Sequence, residues 1–148
     1  MRYPNAEACW EEIKKTLNRD LLEDIAGFAR QNEAPTSVTF GTSGWRGIIG
    51  SDFTLRNVKV VTQAIVNILK SEDPSLRKAL GTEDFEEVKR RGIIVGRDNR
   101  FMGDEFSKAV MSLLTREGIK VFYAGQTTTP EISASIEMLN AACSINIT

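Results

Sequence analysis

Three short apolar runs, the first two each followed by a loop and a helical pattern, limit the fold of this chain more than any other feature. Ile93-Ile94-Val95 is wholly apolar, as in a strand buried on both faces of a parallel sheet. Gly96-Arg97-Asp98-Asn99-Arg100 follows as a loop. A helix is expected over residues 104–117, with Phe106, Val110, Leu113 and Leu114 on its inner face and Gly118 placed to end it. Residues 119–124 read as the next strand and 125–129 as a loop. Thr129-Pro130 then opens a helix, threonine as N-cap and proline at the first helical position. Ile132, Ile136 and Leu139 would line its inner face, and residues 143–147 make the last strand. Parallel strands need long crossovers, so this alternation argues for an α/β layered fold with a largely parallel sheet. Ligands of such sheets collect beyond the carboxyl ends of the strands. The loops holding Arg97, residues 127–130 and Thr148 all fall there.

The preceding half is less regular. Over residues 5–30, Trp10, Ile13, Leu17, Leu21, Ile25 and Phe28 recur at steps of three and four, which predicts one amphipathic helix capped by Asn5. Residues 38–40 alternate weakly and enter the glycine-rich segment 41–47. Ile48-Ile49 follows, then a turn at Gly50-Ser51-Asp52. Thr54 is placed to cap a helix burying Val58, Val61, Ile65, Ile68 and Leu69. Residues 71–91, with Pro74 and Gly81, read as a charged surface excursion with a short helix near 83–89.

Composition removes several classes of function. The net charge of −1 gives no electrostatic case for nucleic acid or an anionic membrane. No stretch approaches the roughly 20 apolar residues of a membrane helix. The N-terminus lacks the apolar run of a secretory signal, so a cytoplasmic location is expected. The absence of histidine rules out Ser-His-Asp and HExxH chemistry within these residues. Cys9 and Cys143 form neither a zinc pattern nor a CxxC pair, and Cys143 reads as a small buried hydrophobe. With 148 residues, 41% of them hydrophobic, the chain can build one ordinary domain core.

Three segments could carry chemistry. In Gly41-Thr42-Ser43-Gly44-Trp45-Arg46-Gly47, the glycines allow close backbone approach, two hydroxyls stand beside them, and Arg46 offers a planar charged fork suited to phosphate. This is either an anion site or a tight loop whose arginine pairs with a carboxylate. In residues 95–103, Arg97 and the following helix could hold an anion. Asp98 is read as fastening the loop through backbone N–H groups, with Arg100 as its ion partner. In residues 125–130, capping explains Thr129 and Pro130, whereas Thr127 and Thr128 have no assigned structural task. Trp45 either shields the site or packs on a neighbouring domain.

Together these segments resemble one family. Residues 40–47 are similar to the FGTSGxRG opening motif of the α-D-phosphohexomutases (the phosphoglucomutase/phosphomannomutase type). Residues 95–103 resemble that family's VGxDxRxxG segment, and Thr129-Pro130 its threonine-proline loop. The resemblance covers about residues 36–148 and leaves 1–35 as an N-terminal helical extension. It implies a three-layer α/β/α domain I with a four-stranded mixed sheet. It also implies an isomerase that moves a phosphoryl group between the 1 and 6 positions of a hexose phosphate, glucose phosphate being expected. A phosphoserine, a hexose 1,6-bisphosphate and Mg2+ take part in that reaction. Arg46 would hold the phosphoserine region and the transferring phosphoryl, with Thr42, Ser43 and Gly44 lining the same cleft. Arg97 and Thr128 are weaker phosphate contacts; Asp98, Arg100, Thr129 and Pro130 are loop scaffold. No metal ligand is expected within these residues. The family's T-A-S-H-N-P loop would begin at Thr148, so the chain is expected to lack the phosphoserine and downstream domains and to be inactive by itself. The alternative is a naturally short, non-catalytic domain that binds a sugar phosphate or a partner protein.

Overall fold

A computed structural model describes residues 3–16, 19–34 and 36–148. By its internal contacts the chain divides into two compact units, Met1–Val61 and Thr62–Thr148.

The first unit opens with helix α1 (Ala6–Thr16), where the Asn5 side-chain oxygen accepts the Ala8 N–H at 2.9 Å, the cap expected of it. Helix α2 (Asp20–Gln31) follows. The single helix expected over residues 5–30 is therefore two helices that pack on each other. Folding back lets two apolar stripes bury one another, which one straight helix cannot do. Leu21 and Ile25 are buried, while Trp10, Ile13 and Phe28 are half-buried; Leu17 lies outside the described residues.

The helix pair also rests on the turn at residues 50–52. The Trp10 indole N–H donates to the Ile49 carbonyl (3.0 Å), and the Asn32 amide donates to that of Gly50 (3.1 Å). Gly50 has φ +90°, and a Cβ there would come within 2.8 Å of the Ala6 Cβ. Strands β1 (Phe40–Gly41) and β2 (Gly44–Trp45) form an antiparallel hairpin closed by Thr42 and Ser43.

Helix α3 (Leu55–Lys70) starts at Thr54, whose hydroxyl accepts the Asn57 N–H at 3.2 Å. Its buried row runs Val58, Thr62, Val66, Leu69. That row includes a threonine, so the purely apolar reading was rotated, and Ile68 is 57% exposed instead of buried.

Residues 71–91 hold α4 (Pro74–Leu80), which was not expected, and α5 (Phe85–Arg91), close to the short helix expected near 83–89. The Asp73 carboxylate caps α4 by accepting the Ser75 and Leu76 N–H groups, and Asp84 caps α5 through Glu87 N–H. Seven residues are too few for an apolar period to register, so the caps are their main signature.

In the second unit, β3 (Ile93–Arg97), β4 (Val121–Gln126) and β5 (Cys143–Ile147) form a parallel sheet in the order β4-β3-β5. The expected four-stranded mixed sheet is not seen among the described residues. The antiparallel pairing belongs to the separate β1–β2 hairpin, where Phe40 and Gly41 are satisfied locally by Trp45 and Gly44. Helix α6 (Gly103–Arg116) crosses from β3 to β4, and α7 (Thr129–Met138) from β4 past β3 to β5. Right-handed crossovers in opposite directions place the two helices on opposite faces. Side chains agree: a Cβ on Gly96 would lie 2.2 Å from Ile132 Cδ1 of α7, whereas the next residue, Arg97, reaches Asp104 of α6. The unit is thus α/β/α. Ile93, Ile94 and Val95 are buried with Phe106, Val110, Leu113 and Leu114, as their spacing predicts, and Gly118 ends α6 region at φ +77°. Leu139, expected inside, is 47% exposed because α7 stops at Met138.

Candidate functional site

In the first unit the glycine-rich loop is held on both sides of Arg46. The Trp45 ring stacks on Phe53 with centroids 4.3 Å apart, which gives Trp45 a packing partner within its own unit. A Cβ on Gly47 would fall 2.8 Å from the Asp52 Cβ, and the Ile48 N–H donates to the Asp52 carboxylate at 3.3 Å. Between these anchors Arg46 is exposed and has no hydrogen-bond or ion-pair partner among the described residues. Arg56 of the same unit, by contrast, pairs with Glu33 at 3.3 Å. Thr42 and Ser43 form the exposed turn, and Gly44 takes φ +124° beside it. Of the two readings open for this loop, the carboxylate-paired arginine has no counterpart among the described residues. Asp52 and Phe53, which the motif did not single out, are what hold the loop.

In the second unit the carboxyl ends of β3, β4 and β5 lie together, as parallel strands require. The Asp98 N–H donates to the Ile147 carbonyl (3.0 Å) and the Thr127 N–H to that of Arg97 (2.8 Å). Asp98 accepts the Arg100 N–H at 2.9 Å and pairs with the Arg100 guanidinium at 3.0 Å, the scaffold arrangement read from the sequence. Arg97 is committed internally. Its Nε donates to the Tyr123 hydroxyl (3.2 Å), its Nη1 to the Asp98 carbonyl (3.0 Å), and Asp104 lies 3.7 Å away.

The N-cap of α7 is Thr128, not Thr129. A capping box selects it: Glu131, three residues on, accepts the Thr128 N–H at 2.7 Å, while the Thr128 hydroxyl faces the Glu131 N–H. Pro130 accordingly sits one place later than expected. The Thr127 hydroxyl also donates to Glu131 (2.9 Å), and Thr129 accepts from the Asn146 amide (3.0 Å). The Thr128 backbone N–H, then the Thr128 and Thr127 hydroxyls, hold the Glu131 carboxyl below the usual glutamate range. The signal was present in the sequence as Thr-x-x-Glu. A shallow cavity of 290 Å³ opens here, lined by Asp98, Asn99, Gln126, Thr127, Thr128 and Glu131. Its ionisable lining is acidic, and the helix terminus already holds the protein's own carboxylate. Arg97 and Thr128 are therefore in internal bonds, whereas Arg46 is exposed and has no partner among the described residues.

Cys143, expected to be buried, is half-buried, and desolvation pushes its thiol up to about 11. Among the described residues no group of three or more His, Cys, Asp or Glu side chains could hold a metal ion. No described helix is long and apolar enough to cross a membrane.

Comparison with known proteins agrees with this geometry. The profile of the phosphoglucomutase/phosphomannomutase α/β/α domain I matches residues 37–148. A phosphoglucosamine mutase of Finegoldia magna is 31% identical over 108 residues, 73% of this chain and 20% of that protein. One of Bifidobacterium longum is 34% identical over 101 residues, 68% of this chain and 20% of the relative. One of Saccharopolyspora erythraea is 30% identical over 108 residues, covering 73% and 21%. The chain thus spans about a fifth of the length of the curated relatives it matches. No solved structure matches it. The motifs, the α/β/α unit and the match over residues 37–148 converge: the chain belongs to the phosphoglucomutase/phosphomannomutase family.

Proposed function

We propose that residues 36–148 are the first domain of a cytoplasmic phosphohexomutase, preceded by a helical extension over residues 1–35. The enzyme transfers a phosphoryl group between the 1 and 6 positions of a hexose phosphate through a phosphoserine and a bisphosphate intermediate. The observation that carries this reading is Arg46: exposed, without a carboxylate partner among the described residues, and fixed between two anchored neighbours. A guanidinium carried on an anchored stretch of backbone suits a reaction whose catalysis is mainly positioning and charge stabilisation. Thr42, Ser43 and Gly44 present hydroxyls and backbone beside it. Magnesium would neutralise charge on the phosphoserine, and downstream domains would supply its ligands, so the 148 residues alone are inactive.

Glucose phosphate is the substrate expected from the motif, and the relatives' names add glucosamine phosphate. The test is to supply the full-length protein with glucosamine 6-phosphate or glucose 6-phosphate, plus Mg2+ and the matching bisphosphate. Formation of the 1-phosphate supports the reading, and the faster sugar identifies the substrate. Sugar-phosphate binding without turnover would support a non-catalytic domain instead.

A further inference from the structure

The residues on either side of Arg46 are anchored by Phe53 and Asp52, and Asp52 in turn is held by a residue outside the motif. Asn57, in the first turn of α3, is 2% exposed. Its backbone N–H meets the Thr54 hydroxyl at the cap, which leaves the side chain free to point across the fold. The Asn57 amide donates to the Asp52 carbonyl at 2.8 Å and also to the Thr36 hydroxyl. The Arg56 guanidinium lies 3.4 Å from its oxygen. One buried amide thus joins the two ends of segment 36–53, the segment that carries Arg46.

The linkage runs on without a gap. Asp52, fixed by Asn57 at its carbonyl, receives the Ile48 N–H and backs directly onto Gly47. Phe53, the next residue, carries the Trp45 ring. Phe53 N–H is also tied to the Ile48 carbonyl at 3.0 Å. Arg46 sits between Trp45 and Gly47. We propose that Asn57 is a positioning residue for Arg46, acting through Asp52 and Phe53. This rests on the role given to Arg46 above. A buried amide that loses its partners leaves polar groups unpaired, so the segment would loosen where the arginine must be held still.

The test uses the full-length protein, with Asn57→Ala and Arg46→Ala made singly and together. Thr36→Val, which deletes one acceptor and keeps Asn57, serves if Asn57→Ala does not fold. The readouts are kcat/KM for the hexose phosphate and amide hydrogen exchange over residues 45–48. Asn57→Ala is expected to lower kcat/KM about tenfold to a hundredfold, the scale on which misplacement acts. Exchange at residues 45–48 should quicken. In the Arg46→Ala background the same change should cost little more, because the group being positioned is gone. Full additivity of the two losses, or unchanged exchange at residues 45–48, overturns the proposal. If Arg46→Ala alone leaves kcat/KM intact, the role of Arg46 is wrong, and hydrogen exchange still decides whether Asn57 holds the loop.

Discussion

Three arginines in the two signature segments have different fates. Arg97 bonds to Tyr123 and to its own loop, Arg100 pairs with Asp98, and Arg46 is exposed with no partner among the described residues. The motifs mark Arg46 and Arg100 and leave Arg97 at a variable position, and it is their neighbours in the fold that separate the three. Glu131 makes a second residue-level case. Its carboxyl is held low, so its stabilising contribution is full above the ordinary glutamate value of about 4.3 and is lost as pH falls through the lower folded value. Melting wild type and Glu131→Gln between pH 7 and pH 3 should show a wild-type advantage at neutral pH that closes at acid pH. A gap constant with pH would contradict the charged cap. Gly96 supplies a third. Its bare Cα lets Ile132 and Thr127 close over β3, with a virtual Cβ 2.2 and 2.8 Å from them. Gly96→Ala should therefore destabilise by about 1–3 kcal/mol through overpacking, seen as a lower melting temperature. At this scale the sequence was readable where a cap or scaffold acts locally, as at Asn5, Thr54 and Asp98. It was not readable at Thr128 until Glu131 was counted with it, nor at Asn57, whose partners lie up to 21 positions away.

Among the elements, those with a strong period were the legible ones. Strand β3 and helix α6 lie where the apolar spacing put them, with Phe106, Val110, Leu113 and Leu114 all buried. The misses have separate causes. A continuous stripe over residues 5–30 does not say where a helix folds back, because both arms keep the same period. Helix α4 is too short for periodicity, whereas α5 lies close to the short helix expected near 83–89. The fourth strand failed because a two-residue turn let Phe40 and Gly41 pair locally. The helix pair's placement on the residue 50–52 turn depends partly on one indole bond. Trp10→Phe, which keeps the ring and removes the donor, should cost about 1 kcal/mol, readable as a lower urea midpoint. An unchanged midpoint would mean that apolar packing alone seats α1.

For the molecule as a whole, what is established is membership of the phosphoglucomutase/phosphomannomutase family through its domain I. The chain matches about a fifth of relatives that share its domain I, and it holds no metal cluster among its described residues. One unit presents the loop that carries Arg46, anchored through Trp45 and Gly47, and the other an α/β/α layer in which Arg97, Asp98 and Thr128 are in internal bonds. On the proposed function, the residue to test is Arg46. The most direct measurement is kcat/KM of the full-length protein for hexose phosphate interconversion, comparing wild type with Arg46→Ala at matched folding. The account predicts a loss of about 10²- to 10³-fold, the size expected when one preorganised charge-stabilising donor is removed. Turnover by Arg46→Ala at the wild-type rate would contradict it.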